Sequence, residues 1–321
     1  MNPYIGHETQ VRGIEEHRLI GGKGDGMRLY EINNGKGLMF TVTPDRNGDI
    51  MRLRYKGINL GFMSPCGYVA PAFYDKTETN WLRSFTAGFL TTCGLDQVGE
   101  PCQVNGTAYG LHGRIGNCPA EQICTEVRRE NGQLKGIVSG VVRQASQQGE
   151  AYLLRRTYHF SDDSAAFTFT DEIENQSGKA VPLQLLYHFN LGYPFLSPSL
   201  QMELPSAKTE GWDEASAGKC DLYMDCADPE ELTLLHHLNE PKQPAKLILK
   251  NQGIRLCLGF DGEKLPILAQ WRLLQPREYV LAFEPTNNHL RGLAWEKEHG
   301  KVELLQPGEQ RTYCFSVELD G

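Results

Sequence analysis

The sequence predicts an all-β protein, a large antiparallel β-sandwich with few and short helices. Three observations carry this. From residue 28 onward, apolar and polar residues alternate in run after run, the period of strands with one buried face. Turn chemistry separates the runs at Glu130-Asn131-Gly132, Gln147-Gln148-Gly149, Ser161-Asp162-Asp163-Ser164 and Asn175-Gln176-Ser177-Gly178. Glycine and proline number 34 and 17 in 321 residues, which favours many turns over long helices.

In chain order, residues 1–27 are polar and Gly-rich around Gly21-Gly22-Lys23-Gly24 and are expected to form an added arm. Residues 28–321 are expected to form one sandwich domain, because strand signals spread over the whole stretch without a linker or an internal repeat. Residues 39–43 run into the turn 44–49, and residues 50–55 follow as a second strand. The NWLRSFTAG segment, residues 80–88, predicts two helical turns with Asn80 as cap. Five strands are then expected at 123–129, 135–144, 151–160, 165–175 and 180–190. Within 165–175, Phe167, Phe169 and Ile173 share one face, while Thr168, Thr170, Glu172 and Glu174 share the other. Asp228-Pro229-Glu230-Glu231-Leu232 predicts a short helix, with a cap, an N1 proline and acids in the first turn. His236-His237 reads as a polar turn after it. Strands resume at 246–250, 253–260, 265–273, 278–284 and 310–319.

The 40 Asp and Glu residues outnumber 32 Lys and Arg, giving a formal charge of −8 and an isoelectric point of about 5.6. That balance argues against nucleic acid or an anionic membrane surface as partner, since both reward clustered cations. No apolar run reaches the length of a membrane span, and the first residues lack the apolar core of a secretion signal, so a cytoplasmic protein is expected. Nine cysteines, an odd number without any C-x-x-C spacing, predict free and mostly buried thiols in a reducing compartment. Neither a disulfide framework nor a zinc site is indicated, and His236-His237 is not a metal pair, because sequence neighbours seldom face one ion.

Three segments stand out from the strand pattern. Leu111-His112-Gly113-Arg114 places a histidine and an arginine in a glycine loop. Leu186-Tyr187-His188-Phe189-Asn190-Leu191 places His188 near the end of an apolar strand, before Gly192 and Pro194. Ala282-Phe283-Glu284-Pro285 does the same with a carboxylate. An ionisable group between apolar neighbours at a strand mouth is partly desolvated and held in one rotamer, a setting suited to proton transfer. Each also has a plainer reading, as a hydrogen-bonded structural histidine or a solvated strand terminus. There is no G-x-S-x-G elbow, and the glycine-rich stretches fit neither the P-loop nor the dinucleotide fingerprint.

The order of a His-Gly loop, the strand-end His188-Phe189-Asn190-Leu191 and the late strand-end Glu284 resembles the aldose epimerase (galactose mutarotase) superfamily. Residues 48–57 and the closing Leu305-Gln306-Pro307-Gly308-Glu309 are similar as well, so the resemblance spans about residues 30–320. Thr92-Cys93-Gly94-Leu95-Asp96, Leu111-His112-Gly113-Arg114 and Phe283-Glu284-Pro285-Thr286-Asn287 resemble a bacterial branch of it known as a domain of unknown function. The resemblance implies a galactose mutarotase-like supersandwich that interconverts the anomers of a free sugar or sugar derivative, without a cofactor or metal. It implies Glu284 as base, His188 as acid and His112 as a hydrogen-bonding partner at the ring oxygen or anomeric region. Arg83, with Arg114 as alternative, is the candidate for the family's substrate arginine. Asp96 and Asn190 join the binding set, and Trp271 is offered as a stacking platform or an ordinary core aromatic. The family's Asn-Arg-Ile segment has no counterpart, and its binding aspartate is left among Asp213, Asp225 and Asp228.

For catalysis Glu284 is expected ionised and His188 protonated at the same moment, the imidazolium being favoured if Glu284 is only modestly desolvated. The partner is a small-molecule carbohydrate, and a homodimer is left open. A phosphorylated or acidic sugar, held by Arg83 and Arg114, is the alternative substrate. A non-catalytic carbohydrate-binding module is the alternative class, since such sandwiches host both.

Overall fold

A computed structural model describes residues 3–219 and 231–321. Its frame is three antiparallel sheets. The largest has eight strands, in the order Ala120–Glu130, Gln133–Ala145, Ala151–Ser161, Ala166–Asn175, Gln310–Asp320, Ile254–Asp261, Pro244–Asn251 and Gln201–Glu203. A six-stranded sheet runs Ser206–Gly211, Leu232–Leu238, Ile267–Gln275, Glu278–Thr286, Gln184–Leu191 and Leu90–Leu95. A five-stranded sheet runs in sequence order from Gly13–Arg18 through Arg28–Asn33, Leu38–Thr43 and Asp49–Tyr55 to Ile58–Asn59. This is the large antiparallel sandwich that the alternation predicted.

The apolar face read from Phe167, Phe169 and Ile173 packs inward in the structure. Phe169 stacks on Phe315 at 4.6 Å between ring centres, and Phe315 meets Tyr187 at 4.4 Å, so the eight- and six-stranded sheets interlock here. Phe167 stacks on Phe40 at 4.4 Å, which seats the five-stranded sheet on the same inner face. Asp171 shares that face. Its charge is met by Arg156, its direct partner across the ladder, through two hydrogen bonds. Arg156 also binds Asp49 and donates to Thr92 Oγ1 at 2.8 Å, while Tyr187 Oη donates to Asp171 at 3.0 Å. All five residues are buried, so one ion cluster ties together five strands from all three sheets. A buried guanidinium tolerates loss of water only when its donors are matched in this way.

Several local expectations are corrected. Residues 80–88 hold a single 3₁₀ helix, Asn80–Ser84, and then the short strand Ala87–Gly88. Extended backbone at Phe85 (φ −73°, ψ 90°) ends the helix, and the Asn80 side chain binds Asp75 instead of capping. His236 and His237 lie within the strand Leu232–Leu238, not in a turn. His236 is buried against Gln270 and Thr209, and His237 meets Glu210, so each imidazole finds partners that a strand interior normally lacks. The one α-helix among the described residues, Gly292–Glu298, was not foreseen. Strand 180–190 is split into Val181–Pro182 and Gln184–Leu191. Of the seven cysteines described, all are free thiols, but only Cys93 and Cys257 are buried, so "mostly buried" does not hold. The helix expected at Asp228 lies mostly outside the described residues.

Candidate active site

Strand alternation sorts the six-stranded sheet into two faces. On Gln184–Leu191, Tyr187 and Phe189 point into the sandwich and His188 points to the opposite, concave face. On Glu278–Thr286, Glu278, Val280 and Glu284 share that concave face. The Phe189–Phe283 pairing of these neighbouring strands brings the next residues, His188 and Glu284, side by side. His188 Nε2 stands 3.1 Å from Glu284 Oε1. The contact is within reach of a hydrogen bond but not aligned as one, and Glu284 Oε1 has no hydrogen-bond partner among the described residues. His188 and Glu284 are only 4% and 1% exposed.

The pair forms the floor of a cavity of about 420 Å³. Its walls are mostly aromatic and aliphatic. Trp81 and Phe85, four residues apart around the 3₁₀ helix, stack at 4.5 Å. Phe85 and Trp271 flank the His188 ring at 5.3 and 5.6 Å. Trp212 closes another side, its indole N–H donated to the His289 carbonyl at 2.8 Å. The Trp271 indole donates to Glu231 at 2.7 Å.

His112 enters from the glycine loop, with its ring 4.9 Å from Trp81 and edge-on to His188 at 6.2 Å. Its backbone is left-handed (φ 57°), a sparsely populated conformation for a non-glycine residue. Three backbone bonds hold it there: His112 N–H to Gly99 O, Gly94 N–H to His112 O, and Arg114 N–H to Gly94 O. Gly113 (φ 68°) follows, and a Cβ on it would lie 2.4 Å from the Gly94 oxygen, so only glycine lets the loop approach the strand this closely. The Gly99 amide donates to His112 Nδ1 at 3.4 Å, which assigns the ring proton to Nε2.

Burial sets the charges. It pushes the Glu284 carboxyl from 4.5 up to about 8, and His112 from 6.5 down to about 4. It holds His188 well below 6.5, with His112 adding in the same direction and the Asn190 side chain opposing it. The resting pair is therefore a neutral carboxylic acid beside a neutral imidazole. This corrects the expected carboxylate and imidazolium, because both groups lose their water and each then disfavours its charged form. The number of protons on the pair is unchanged: transfer across the 3.1 Å contact interconverts the two arrangements.

The other expected site residues are placed as follows. Trp271 lines the cavity. Asn190 lies beneath it, buried, two residues along from His188 with its amide donated to the His188 carbonyl at 3.0 Å. Asp96 is buried and Arg114 is paired with Glu150. Both face a smaller depression of about 170 Å³, apart from the main cavity. Arg83 is exposed and does not line the cavity. Asp213 is exposed and closes a turn with Ser216, while Asp225 and Asp228 fall outside the described residues. The anion-binding role sketched for Arg83 and Arg114 thus has no geometric basis here. Sequence reasoning missed Trp81 and Trp212, and the rim carboxylates Glu100, Glu231 and Glu278. Three of the four tryptophans line one cavity, so tryptophan placement was the available signal.

Solved structures share this architecture. A Klebsiella pneumoniae protein assigned provisionally as an aldose 1-epimerase superposes with a TM-score of 0.87 at 23% identity, over 95% of this chain and 83% of that one. A galactose mutarotase-like protein of Clostridium acetobutylicum gives 0.65 at 13% identity, over 97% and 99%. A galactose 1-epimerase of Lactobacillus acidophilus gives 0.60 at 12% identity, over 96% and 99%. No curated protein matches the sequence. The model of the family described as a domain of unknown function, DUF4432, matches residues 24–319. The chain is therefore a member of the DUF4432 family, built on the galactose mutarotase-like sandwich fold.

Proposed function

We propose that the protein is a mutarotase that interconverts the anomers of a free reducing sugar, with Glu284 and His188 as its proton-transfer pair. The observation that carries this reading is the buried carboxyl–imidazole contact of 3.1 Å at the floor of an aromatic cavity large enough for a monosaccharide. A binding module gains nothing from desolvating two ionisable groups against each other.

Sugar hydroxyls that donate to Glu284 favour its carboxylate, and the proton then rests on His188. The Glu284 carboxylate takes the proton of the anomeric hydroxyl, and the His188 imidazolium gives its proton to the ring oxygen. The C1–ring-oxygen bond breaks as the carbonyl forms. Rotation about the C1–C2 bond presents the other carbonyl face, and closure returns each proton to its donor. Neutral His112 offers its Nε2–H to a sugar oxygen. Asn190 holds the His188 backbone through its carbonyl.

Exchange NMR across a panel of aldoses and ketoses tests the reading. Anomer exchange should exceed the buffer rate, and Glu284→Gln or His188→Asn should slow it by about 10²–10⁴-fold, the usual worth of a positioned acid or base. Near wild-type exchange in either variant rules out the assignment, and binding without acceleration makes the protein a sensor.

A further inference from the structure

The cavity carries a charge pattern that narrows the substrate within the mutarotase reading, on which this inference rests. Among the described residues, four glutamates line it (Glu100, Glu231, Glu278 and Glu284) and no lysine or arginine does. Glu231 takes the neutral Trp271 indole N–H, and Glu278 takes the neutral Gln275 amide. Neither pairs with a cation among the described residues, so their charge faces the cavity uncompensated. Glu284, neutral at rest, adds no charge; its Oε1, on a side chain 1% exposed, lies at the floor without a hydrogen-bond partner among the described residues. His112 and His188 add no positive charge, since burial keeps both neutral.

The neighbouring guanidinium belongs elsewhere. Arg291 lies over the Trp212 ring at 3.9 Å and donates to the Trp212 carbonyl, outside the cavity lining. An anionic group entering this space would lose its water and find no cation among the lining residues, only neutral donors such as His112 and Ser64 set among carboxylates, aromatic rings and aliphatic side chains. A cation meets the opposite: carboxylate acceptors at the rim and the indoles of Trp81 and Trp271, neither of which carries a cation as Trp212 does.

We propose that the preferred substrate is an aminodeoxy sugar carrying a free ammonium group, and that phosphorylated and acidic sugars are rejected. The ammonium sits toward Glu231 and Glu278 over the indole wall, while its hemiacetal end reaches Glu284 and His188.

The test compares anomer exchange of glucosamine, glucose, glucose 6-phosphate and glucuronate, with the matching galacto and manno sets so that ring stereochemistry is not mistaken for charge. In the best-accelerated series the amino sugar should exceed its neutral parent in kcat/KM by about tenfold, the combined worth of an exposed ion pair and a cation–π contact. The phosphate and the uronate should exchange at the buffer rate. The ratio of amino to neutral sugar should fall toward one in Glu231→Gln and in Glu278→Gln, and also as the amine deprotonates at alkaline pH. An amino sugar no better than its parent, or an anionic sugar accelerated as well as the parent, overturns this inference while leaving the mutarotase reading intact. Acceleration of no sugar in the panel overturns both.

Discussion

Burial of Glu284 makes it a stability liability whose size depends on pH. In the folded chain its carboxyl titrates at about 8 against 4.5 when solvated. Between these values the fold retains a proton that the unfolded chain has released, so stability falls as pH rises. Each unit is worth about 1.36 kcal/mol, which accumulates to roughly 3 kcal/mol by pH 7 and 4–5 kcal/mol at pH 8 and above. Glu284→Gln keeps the shape and removes the titration. The amide's own desolvation adds a constant, so the informative quantity is how the difference between variant and wild type changes with pH. Urea unfolding at pH 5.5 and pH 8 should show the variant gaining about 3 kcal/mol relative to wild type across that interval. His188 and His112, whose folded values are depressed, lose stability as pH falls below 6.5. They do so in both proteins alike and drop out of the difference. A gap that stays constant with pH, or closes as pH rises, would falsify the claim that Glu284 is buried as a neutral acid.

The same protonation logic sets the rate profile. kcat/KM should hold through neutrality and fall as pH passes about 8, where the free enzyme's pair loses its one transferable proton; the apparent value belongs to the pair. Decline beginning near pH 6.5 would instead mean that the pair holds its proton no more tightly than a solvated histidine does, against the desolvation of Glu284. Arg156→Leu leaves Asp49 and Asp171 buried without their cation and should destabilise the fold by about 3–5 kcal/mol. Thermal unfolding of that variant close to wild type would mean that the cluster is not held as an ion network. Gly113→Ala places a methyl 2.4 Å from the Gly94 oxygen, so it should displace the His112 loop and slow exchange while the melting temperature drops by only a few degrees. Unaltered turnover there would remove His112 from the mechanism.

Much of the sandwich was legible because antiparallel strands with one wet face write their period directly, as residues 151–161 and 166–175 do. The floor residues were legible for a related reason: His188 and Glu284 are the ionisable interruptions in otherwise apolar strands. What failed was whatever depends on long-range approach. Trp81 hid in a segment that alternates like a helix, and Trp212 sits in a stretch with no period. Leu232–Leu238 was missed because a polar His-His pair resembles a turn until Gln270, Thr209 and Glu210 are seen to satisfy it. Arg83, Arg114 and Asp96 were offered through the resemblance and their place near its motifs, and position along the chain carries no information about which side of a loop a residue faces.

The buried Arg156 cluster lies on the sandwich side of the strands that carry His188, and, Trp271 on the sheet apart, the walls come from the segment Trp81–Phe85, the stretch around Trp212 and the loop at Leu290. The packing beneath the His188–Glu284 floor and most of the wall are therefore drawn from separate stretches of chain, on opposite sides of one sheet. A lineage could recut the wall by loop substitution and acquire a different sugar while the ion cluster keeps the floor in register. Substrate range would then drift faster than reaction type. Wall residues such as Trp81, Trp212 and Glu231 are accordingly the place to redirect this scaffold toward a chosen sugar.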